Sequence, residues 1–222
     1  MKSGFFSAIS RLRWIQRWSL KRNTLTENVM EHSWEVAVIA HLLGAINNKV
    51  FDGSVNPDRL STLALYHDSA ESITGDLPTP VKYYSEEIQK AYKVIEQDAE
   101  KSLVTMLPAP LRGLFNEVIC GEGVSPLETN LVKAADNLSA YVKALAEIAN
   151  GNREYEITVR NLKDRLYAYD LAEVNYFLEH FVEQESNTVA AANSNAANCT
   201  SPQFEADEIL KSPKIRAFKL AH

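Results

Sequence analysis

Residues 66–71 read Tyr-His-Asp-Ser-Ala-Glu, and the adjacent His67-Asp68 pair in this stretch decides the fold to be expected. Such a pair is common by chance, but His32 precedes this one and Asp136 follows it, each within a segment of helical periodicity. Two imidazoles and two carboxylates can together hold one divalent metal ion. The pattern therefore predicts a metal site formed by His32, His67, Asp68 and Asp136.

Each of these residues also has an ordinary structural explanation. A single histidine on a helix, such as His32 or His67, is more often a core or capping residue than a ligand. Asp136 is harder to explain in this way, because it lies on an apolar helical stripe with Ala134 and Leu138. A carboxylate is costly to bury there unless it is paired or bound to a metal.

Helical periodicity dominates the chain and predicts an all-α fold. Apolar residues recur at three- and four-residue spacing from 36 to 46 and from 131 to 145. Asn28 with Glu31, and Ser125 with Glu128, have the spacing of helix N-terminal capping boxes, and Gly151 is a stop signal. His32 is therefore expected near the start of a helix and Asp136 in the middle of one. Further helices are predicted at 56–71, 85–107, 110–119 and 153–181, with no convincing strand pair.

The segments around His32, the His67-Asp68 pair and Asp136 resemble those of the HD-domain phosphohydrolases. Residues 71–82, Glu-Ser-Ile-Thr-Gly-Asp-Leu-Pro-Thr-Pro-Val-Lys, together with Arg17-Trp18, narrow the resemblance to the bacterial 5'-deoxynucleotidases. The similar region covers residues 5–182. It implies an HD-domain helical bundle around a mononuclear metal site. It also implies a homodimeric enzyme that removes phosphate from deoxyribonucleoside 5'-monophosphates.

Two acidic residues are predicted to be catalytic. Glu71 follows Asp68 by three positions, so both carboxylates would share one face if the helix continued that far. We expect Glu71 to orient or deprotonate the attacking water, and Asp76 to protonate the departing 5'-oxygen. Their ordinary explanations are a helix-end glutamate and a turn aspartate after Gly75.

Substrate contacts follow from the resemblance. Arg17 has a planar guanidinium suited to phosphate, and Trp18 is expected to form a wall that excludes a ribose 2'-hydroxyl. Alternatively, both residues belong to an ordinary amphipathic N-terminal helix. Further substrate contacts are predicted for His32, Asp76, Thr79, Pro80 and Lys82.

The sequence does not determine which metal ion would be bound. Two histidines and two aspartates leave coordination positions for a water and a phosphate oxygen, and this mixed ligand set suits Co, Mn, Fe, Ni or Zn. Di-iron members of the superfamily need extra histidines between the pair and the last aspartate. Since no histidine lies between His67 and His180, the sequence predicts one ion. His41 and His180 are expected to be structural.

Composition limits the class of protein and its partners. The 222 residues are 45% hydrophobic, enough for a substantial core. A net charge of −6 argues against binding a nucleic-acid polymer. Two distant cysteines, Cys120 and Cys199, and the lack of any signal-like or membrane-length apolar run predict a cytoplasmic protein without membrane association. A membrane-surface helix at the cationic, aromatic N-terminus is the alternative.

The chain is expected to comprise an HD domain at 1–182 and a low-complexity linker and disordered C-terminal tail at 183–222. Apolar positions at 204–222 also fit a short docking helix. Two other functions remain open for the domain. One is another HD-domain hydrolase acting on nucleoside di- or triphosphates or cyclic nucleotides, and the other is a nucleotide-binding module without turnover.

Overall fold

A computed structural model describes residues 3–182 of the chain. The predicted linker and tail at 183–222, with Cys199 and the docking helix considered at 204–222, lie outside the described residues. Within the described part, the chain is helical, and its extended pairing is limited to one isolated antiparallel bridge between Gln16 and Asn28. The all-α prediction is confirmed.

Ten α-helices follow one another along the described chain. They are α1 (Phe5–Ile9), α2 (Val29–Val50), α3 (Pro57–Tyr66), α4 (Glu71–Thr74), α5 (Thr79–Lys82), α6 (Glu86–Thr105), α7 (Ala109–Cys120), α8 (Pro126–Ala149), α9 (Glu156–Ala168) and α10 (Ala172–Phe177). Short 3-10 helices at Ser10–Trp14 and Arg153–Tyr155, and a π-helical turn at Leu178–Val182, complete the set.

The two longest helices begin as their sequences predict. Asn28 accepts from the backbone N–H of Glu31 while the Glu31 carboxylate accepts from the backbone of Asn28, which starts α2. Ser125 and Glu128 form the same reciprocal pair at the start of α8. These caps fix the first turn of each helix, so His32 lies one turn into α2 and Asp136 lies mid-helix in α8.

Two predicted helices are interrupted. The helix expected at 56–71 ends at Tyr66 because residues 67–70 form tight turns before α4 begins, with Ser69 N–H donating to Tyr66 O and Glu71 N–H to Asp68 O. The helix expected at 153–181 divides at residues 169–171, where Asp170 has a left-handed backbone with φ of 51°. The first interruption places the His67-Asp68 pair in a turn and not on a continuous helix.

The main core joins α2, α3 and α8 to α9 and α10. Leu43, Leu60, Leu131, Leu138 and Leu166 in this core are each at most 1% exposed. Gly44 allows α3 to approach α2 closely, since a β-carbon there would lie 2.8 Å from Leu60 Cδ1. A second cluster packs α1 against α6 and α7. Within residues 3–182, no helix has the length and apolar character needed to cross a membrane.

Candidate functional site

The structure brings the predicted metal ligands together at the junction of α2, the turn after α3 and the middle of α8. One ligand atom from each of His32, His67 and Asp68 lies within 4.8 Å of the others. Asp136 lies outside this tightest group, but its Oδ1 is 3.1 Å from His32 Nε2 and 4.0 Å from His67 Nε2. Asp68 Oδ2 is 3.1 Å from His67 Nε2.

The partners of both imidazoles assign their protons. His67 Nδ1 lies 2.6 Å from Ala64 O, a carbonyl that can only accept, so Nδ1 carries a hydrogen. Ser139 donates its hydroxyl to Glu35 and therefore accepts from His32 Nδ1 at 3.0 Å. Both Nε2 atoms are buried without a hydrogen-bond partner among the described residues. Both Nε2 atoms thus face the carboxylates of the site, where a bound cation would take the place of a proton.

Electrostatics in this cluster favour positive charge. Burial by itself lowers the pKa of His67, but the negative charges of Asp68 and Asp136 raise it to about 9. Burial alone would raise the pKa values of Asp68 and Asp136, yet the neighbouring imidazoles hold both below their usual range. A site that stabilises a proton so strongly between two carboxylates also suits a divalent cation, so these residues fit the predicted metal.

A cavity of about 910 Å³ opens beside this cluster. Nine of the residues that the sequence singles out line it, namely Arg17, Trp18, Asp68, Glu71, Asp76, Thr79, Pro80, Lys82 and Asp136. His32 is 1% exposed and does not line the cavity, so its direct contact with substrate stays a prediction. His41 and His180 are also absent from the cavity wall. The volume is sufficient for a ligand of nucleotide size.

Glu71 lines the cavity from the start of α4, and Asp76 reaches it after a glycine turn. Gly75, with φ of 74°, ends α4 as its N–H donates to Glu71 O, and the chain then turns Asp76 toward the cavity. Burial, followed by the charges of Asp68 and Asp76, raises the pKa of Glu71 to about 9. Burial also raises the pKa of Asp76. Glu71 Oε2 is buried without a hydrogen-bond partner among the described residues, which leaves it free to bond a ligand or water.

Arg17 and Trp18 lie in a loop and not in an N-terminal helix, because the helical chain ends at Trp14. Two backbone hydrogen bonds close the loop, from Arg17 N–H to Glu27 O at 3.0 Å and from Val29 N–H to Ile15 O at 3.0 Å. The alternative of an ordinary amphipathic helix is therefore wrong for these two residues. Their side chains both line the cavity.

The predicted substrate-contacting residues of α5 differ in whether their side chains are already paired within the protein. Lys82 Nζ lies 2.8 Å from Glu96 Oε1 and above the ring of Tyr92. Its charge is thus already paired within the protein, which weakens it as a phosphate contact. Thr79 and Pro80 are exposed at the cavity rim.

Several residues at the site carry no signal in the sequence. Glu27 contacts Arg17, Trp18 and His32, and the Ser139–Glu35 pair supports His32. Arg165 lines the cavity from α9 and donates to Asn137 Oδ1 at 3.3 Å. These contacts join distant parts of the chain, so no local spacing reveals them.

Comparison with known proteins shows the family. The model of the 5'-deoxynucleotidase YfbR-like family matches residues 4–185. Proteins named 5'-deoxynucleotidase YfbR from Shigella boydii serotype 18 and Escherichia coli K12 are 49% identical over 181 residues, 82% of this chain and 91% of each relative.

Solved structures agree on the fold. An HD-domain phosphohydrolase from Listeria innocua superposes with a TM-score of 0.72 at 28% identity, covering 81% of this chain and 87% of its own. An HD phosphohydrolase of cyanophage S-2L, bound to dA and one catalytic Zn²⁺ ion, superposes with a TM-score of 0.59. It is 21% identical and covers 80% of this chain and 96% of its own, which supports the fold alone. The predicted HD fold is confirmed, and the chain belongs to the 5'-deoxynucleotidase YfbR-like family.

Proposed function

We propose that this protein is a metal-dependent 5'-deoxynucleotidase that hydrolyses deoxyribonucleoside 5'-monophosphates to deoxyribonucleosides and phosphate. The observation that carries the proposal is the convergence of His32, His67, Asp68 and Asp136 beside a nucleotide-sized cavity. The 49% identical relatives, which are named for this activity, support the same conclusion.

One divalent transition metal ion would be held by His32, His67, Asp68 and Asp136. When bound, it would polarise a phosphoryl oxygen and make water a stronger nucleophile near neutral pH. Cobalt and manganese are the ions proposed, and the mixed nitrogen and oxygen ligands fit either one. The cyanophage neighbour holds zinc, so zinc belongs in any test of metal preference.

Glu71 is proposed to accept the proton of the attacking water. Its Oε2 is buried without a hydrogen-bond partner among the described residues, so it is available to accept that proton while the P–O bond to the 5'-oxygen breaks. The positive charge of a bound metal ion would lower the pKa of this carboxyl and favour the ionised form that a base needs. Asp76 is proposed to supply a proton to that departing oxygen. Its raised pKa favours the protonated form that such a donor needs.

Arg17 is proposed to bind the phosphate and Trp18 to face the sugar. Arg17 Nη1 is buried without a hydrogen-bond partner among residues 3–182, so a phosphate oxygen would satisfy it. The Trp18 indole beside the sugar would exclude a 2'-hydroxyl by size and would make no contact that distinguishes one base from another. Lesser substrate contacts are proposed for His32, Asp76, Thr79, Pro80 and Lys82.

We propose a cytoplasmic homodimer that acts on free nucleotides and binds neither a nucleic-acid polymer nor a membrane. The net charge of −6 supports the first exclusion, since polymer affinity depends on clustered cations. Sedimentation of the purified full chain would test the dimer.

The decisive experiment is phosphate release from matched ribo- and deoxyribonucleoside monophosphates with Co²⁺, Mn²⁺ and Zn²⁺ in turn. We expect metal-dependent release and a preference for the deoxy substrate. Nucleoside triphosphates and cyclic nucleotides in the same panel test the rival hydrolase activity. Nucleotide binding without phosphate release under every metal condition would instead identify a non-catalytic module.

A further inference from the structure

Glu27 lies where three elements of the proposed site meet. Its Oε2 accepts a hydrogen bond from Trp18 Nε1 at 2.7 Å. Its Oε1 lies 3.7 Å from Arg17 Nη1 and 3.4 Å from His32 Nδ1. The Glu27 side chain is 12% exposed, so these contacts are largely shielded from water.

The backbone of the loop depends on the same residue. Glu27 O accepts from Arg17 N–H, so main chain and side chain both hold the Arg17-Trp18 pair. Trp18 has a left-handed backbone with φ of 60°, a conformation unfavourable for a bulky residue unless its surroundings enforce it. The bond from its indole to Glu27 and its packing on the ring of Tyr155, at 5.4 Å, restrain the side chain. Lys21 N–H and Asn23 Nδ2 donate to Trp18 O and restrain the backbone.

Charge adds a second restraint. The guanidinium of Arg17 lies over the Trp18 ring at 5.9 Å, and the Glu27 carboxylate faces the same guanidinium. The Glu27 carboxylate thus fixes the position of the Arg17 guanidinium relative to the Trp18 indole. Because Glu27 also contacts His32, it holds both side chains in position relative to the proposed metal ligands.

We propose that Glu27 is a positioning residue that sets sugar selection and phosphate binding by holding Trp18 and Arg17 in register with His32. This inference rests on the proposed function. It assigns Glu27 no contact with the substrate, and Glu27 does not line the large cavity.

Glu147 provides a matched control, because it is a buried carboxylate that anchors the same loop from outside the cavity. It accepts from the backbone N–H groups of Thr24 and Leu25 and from Asn152 Nδ2. Glu147→Gln therefore weakens the anchoring of Thr24 and Leu25 and leaves the contacts of Arg17 and Trp18 in place. If Glu27 were only a loop anchor, its variants would behave like Glu147→Gln.

The first readout is independent of turnover. Trp14 and Trp34 are 72% and 65% exposed, so phenylalanine can replace both and leave Trp18 as the only tryptophan. In that background, Glu27→Ala should increase quenching of Trp18 fluorescence by acrylamide. Glu27→Gln should change it less, because an amide oxygen can still accept from the indole. Glu147→Gln should leave quenching at its starting value.

The second readout is the deoxy-to-ribo ratio of kcat/KM in the otherwise unchanged chain. Glu27→Ala should lower the ratio and raise KM by about tenfold, the size expected for loss of a charge-assisted hydrogen bond. Glu27→Gln should raise KM while largely keeping the ratio. A wild-type ratio in Glu27→Ala, or a change no larger than that in Glu147→Gln, overturns the proposal.

Failure of the proposed function and failure of the role of Glu27 give different results. Absence of phosphate release from deoxynucleotides by the metal-loaded wild type refutes the proposed function, and the quenching series then decides the positioning of Trp18 by itself. If Trp18→Ala changes the ratio while Glu27→Ala does not, the role of Glu27 fails and the proposed function stands. If Glu27→Ala does not fold, Glu27→Gln decides the claim through its KM.

Discussion

His32 Nε2 lies 3.1 Å from Asp136 Oδ1, joining the first turn of α2 to the middle of α8. Both helices belong to the main core, so the spacing of these two atoms is set by helix packing and not by a flexible loop. His67 and Asp68 approach from the turn after α3. The proposed metal ligands are therefore supported by three elements that the core holds in place.

Removal of a proposed ligand should abolish metal binding while the fold survives. We expect His67→Ala and Asp68→Ala to lose bound metal and phosphatase activity, because each removes one ligand from the set. Elemental analysis and circular dichroism measure the two properties together. His41→Ala is the control, since His41 lies outside the cavity beside Asp58. Full metal content and activity in either ligand variant would refute the site.

Glu71→Ala should separate chemistry from binding. The variant should hold metal and substrate but turn over roughly 10²- to 10⁴-fold more slowly, the loss typical of a missing general base. Single-turnover rates and a calorimetric metal titration measure the two effects. Loss of metal with a normal rate after reconstitution would show that Glu71 supports the ligands instead.

Trp18 and Arg17 should affect selectivity differently. Trp18→Ala opens space beside the sugar, so ribonucleotide turnover should rise relative to deoxyribonucleotide turnover. Arg17→Ala removes a phosphate contact worth about 1.5 to 3 kcal/mol from both substrates and should leave their ratio unchanged. The measurement is kcat/KM for a matched nucleotide pair. An unchanged ratio in Trp18→Ala would move sugar selection to another residue.

Glu147 should make stability depend on acid pH. Burial alone would raise the pKa of Glu147, but its bonds to Lys143, Asn152, Thr24 and Leu25 hold it below the usual 4.5. A lowered pKa in the folded state stabilises the protein above the unfolded-state value, and this contribution is lost as pH falls below about 4.5.

Glu147→Gln should therefore unfold more easily at neutral pH, by about 3 to 5 kcal/mol, because Lys143 stays buried without its carboxylate. The difference from wild type should shrink on acidification. Urea denaturation at neutral and acid pH measures it. Glu86→Gln, at an exposed surface pair with Lys90, should show neither effect. A difference that is independent of pH would contradict the assigned ionisation.

The sequence predicted those parts of the fold that local rules determine. The starts of α2 and α8 follow from their capping boxes, and the placement of His32 and Asp136 follows from helical periodicity. Family resemblance brought the candidate ligands and nine of the cavity residues into one hypothesis. The observed distances are consistent with it, and the chemical roles of those residues remain predictions.

What the sequence could not predict depends on contacts between distant segments. The break after Tyr66 comes from turn hydrogen bonds that helical periodicity does not reveal. Ser139 and Glu35 lie on different helices, and their support of His32 exists only once α2 and α8 pack. Glu27 has no recognisable signal in the sequence, because it meets Arg17 and Trp18 only when the loop between them is closed.

That closed loop adds side chains to the cavity wall that are separate from the proposed metal ligands. Its ends are fixed by backbone bonds at Arg17–Glu27 and Ile15–Val29, while Ser19, Leu20 and Lys21 between them line the cavity. Exchange of these three side chains reshapes the entrance without altering a proposed metal ligand. The loop is thus a natural position for mutational libraries that seek new nucleotide preferences, with the hydrolytic centre left as it is.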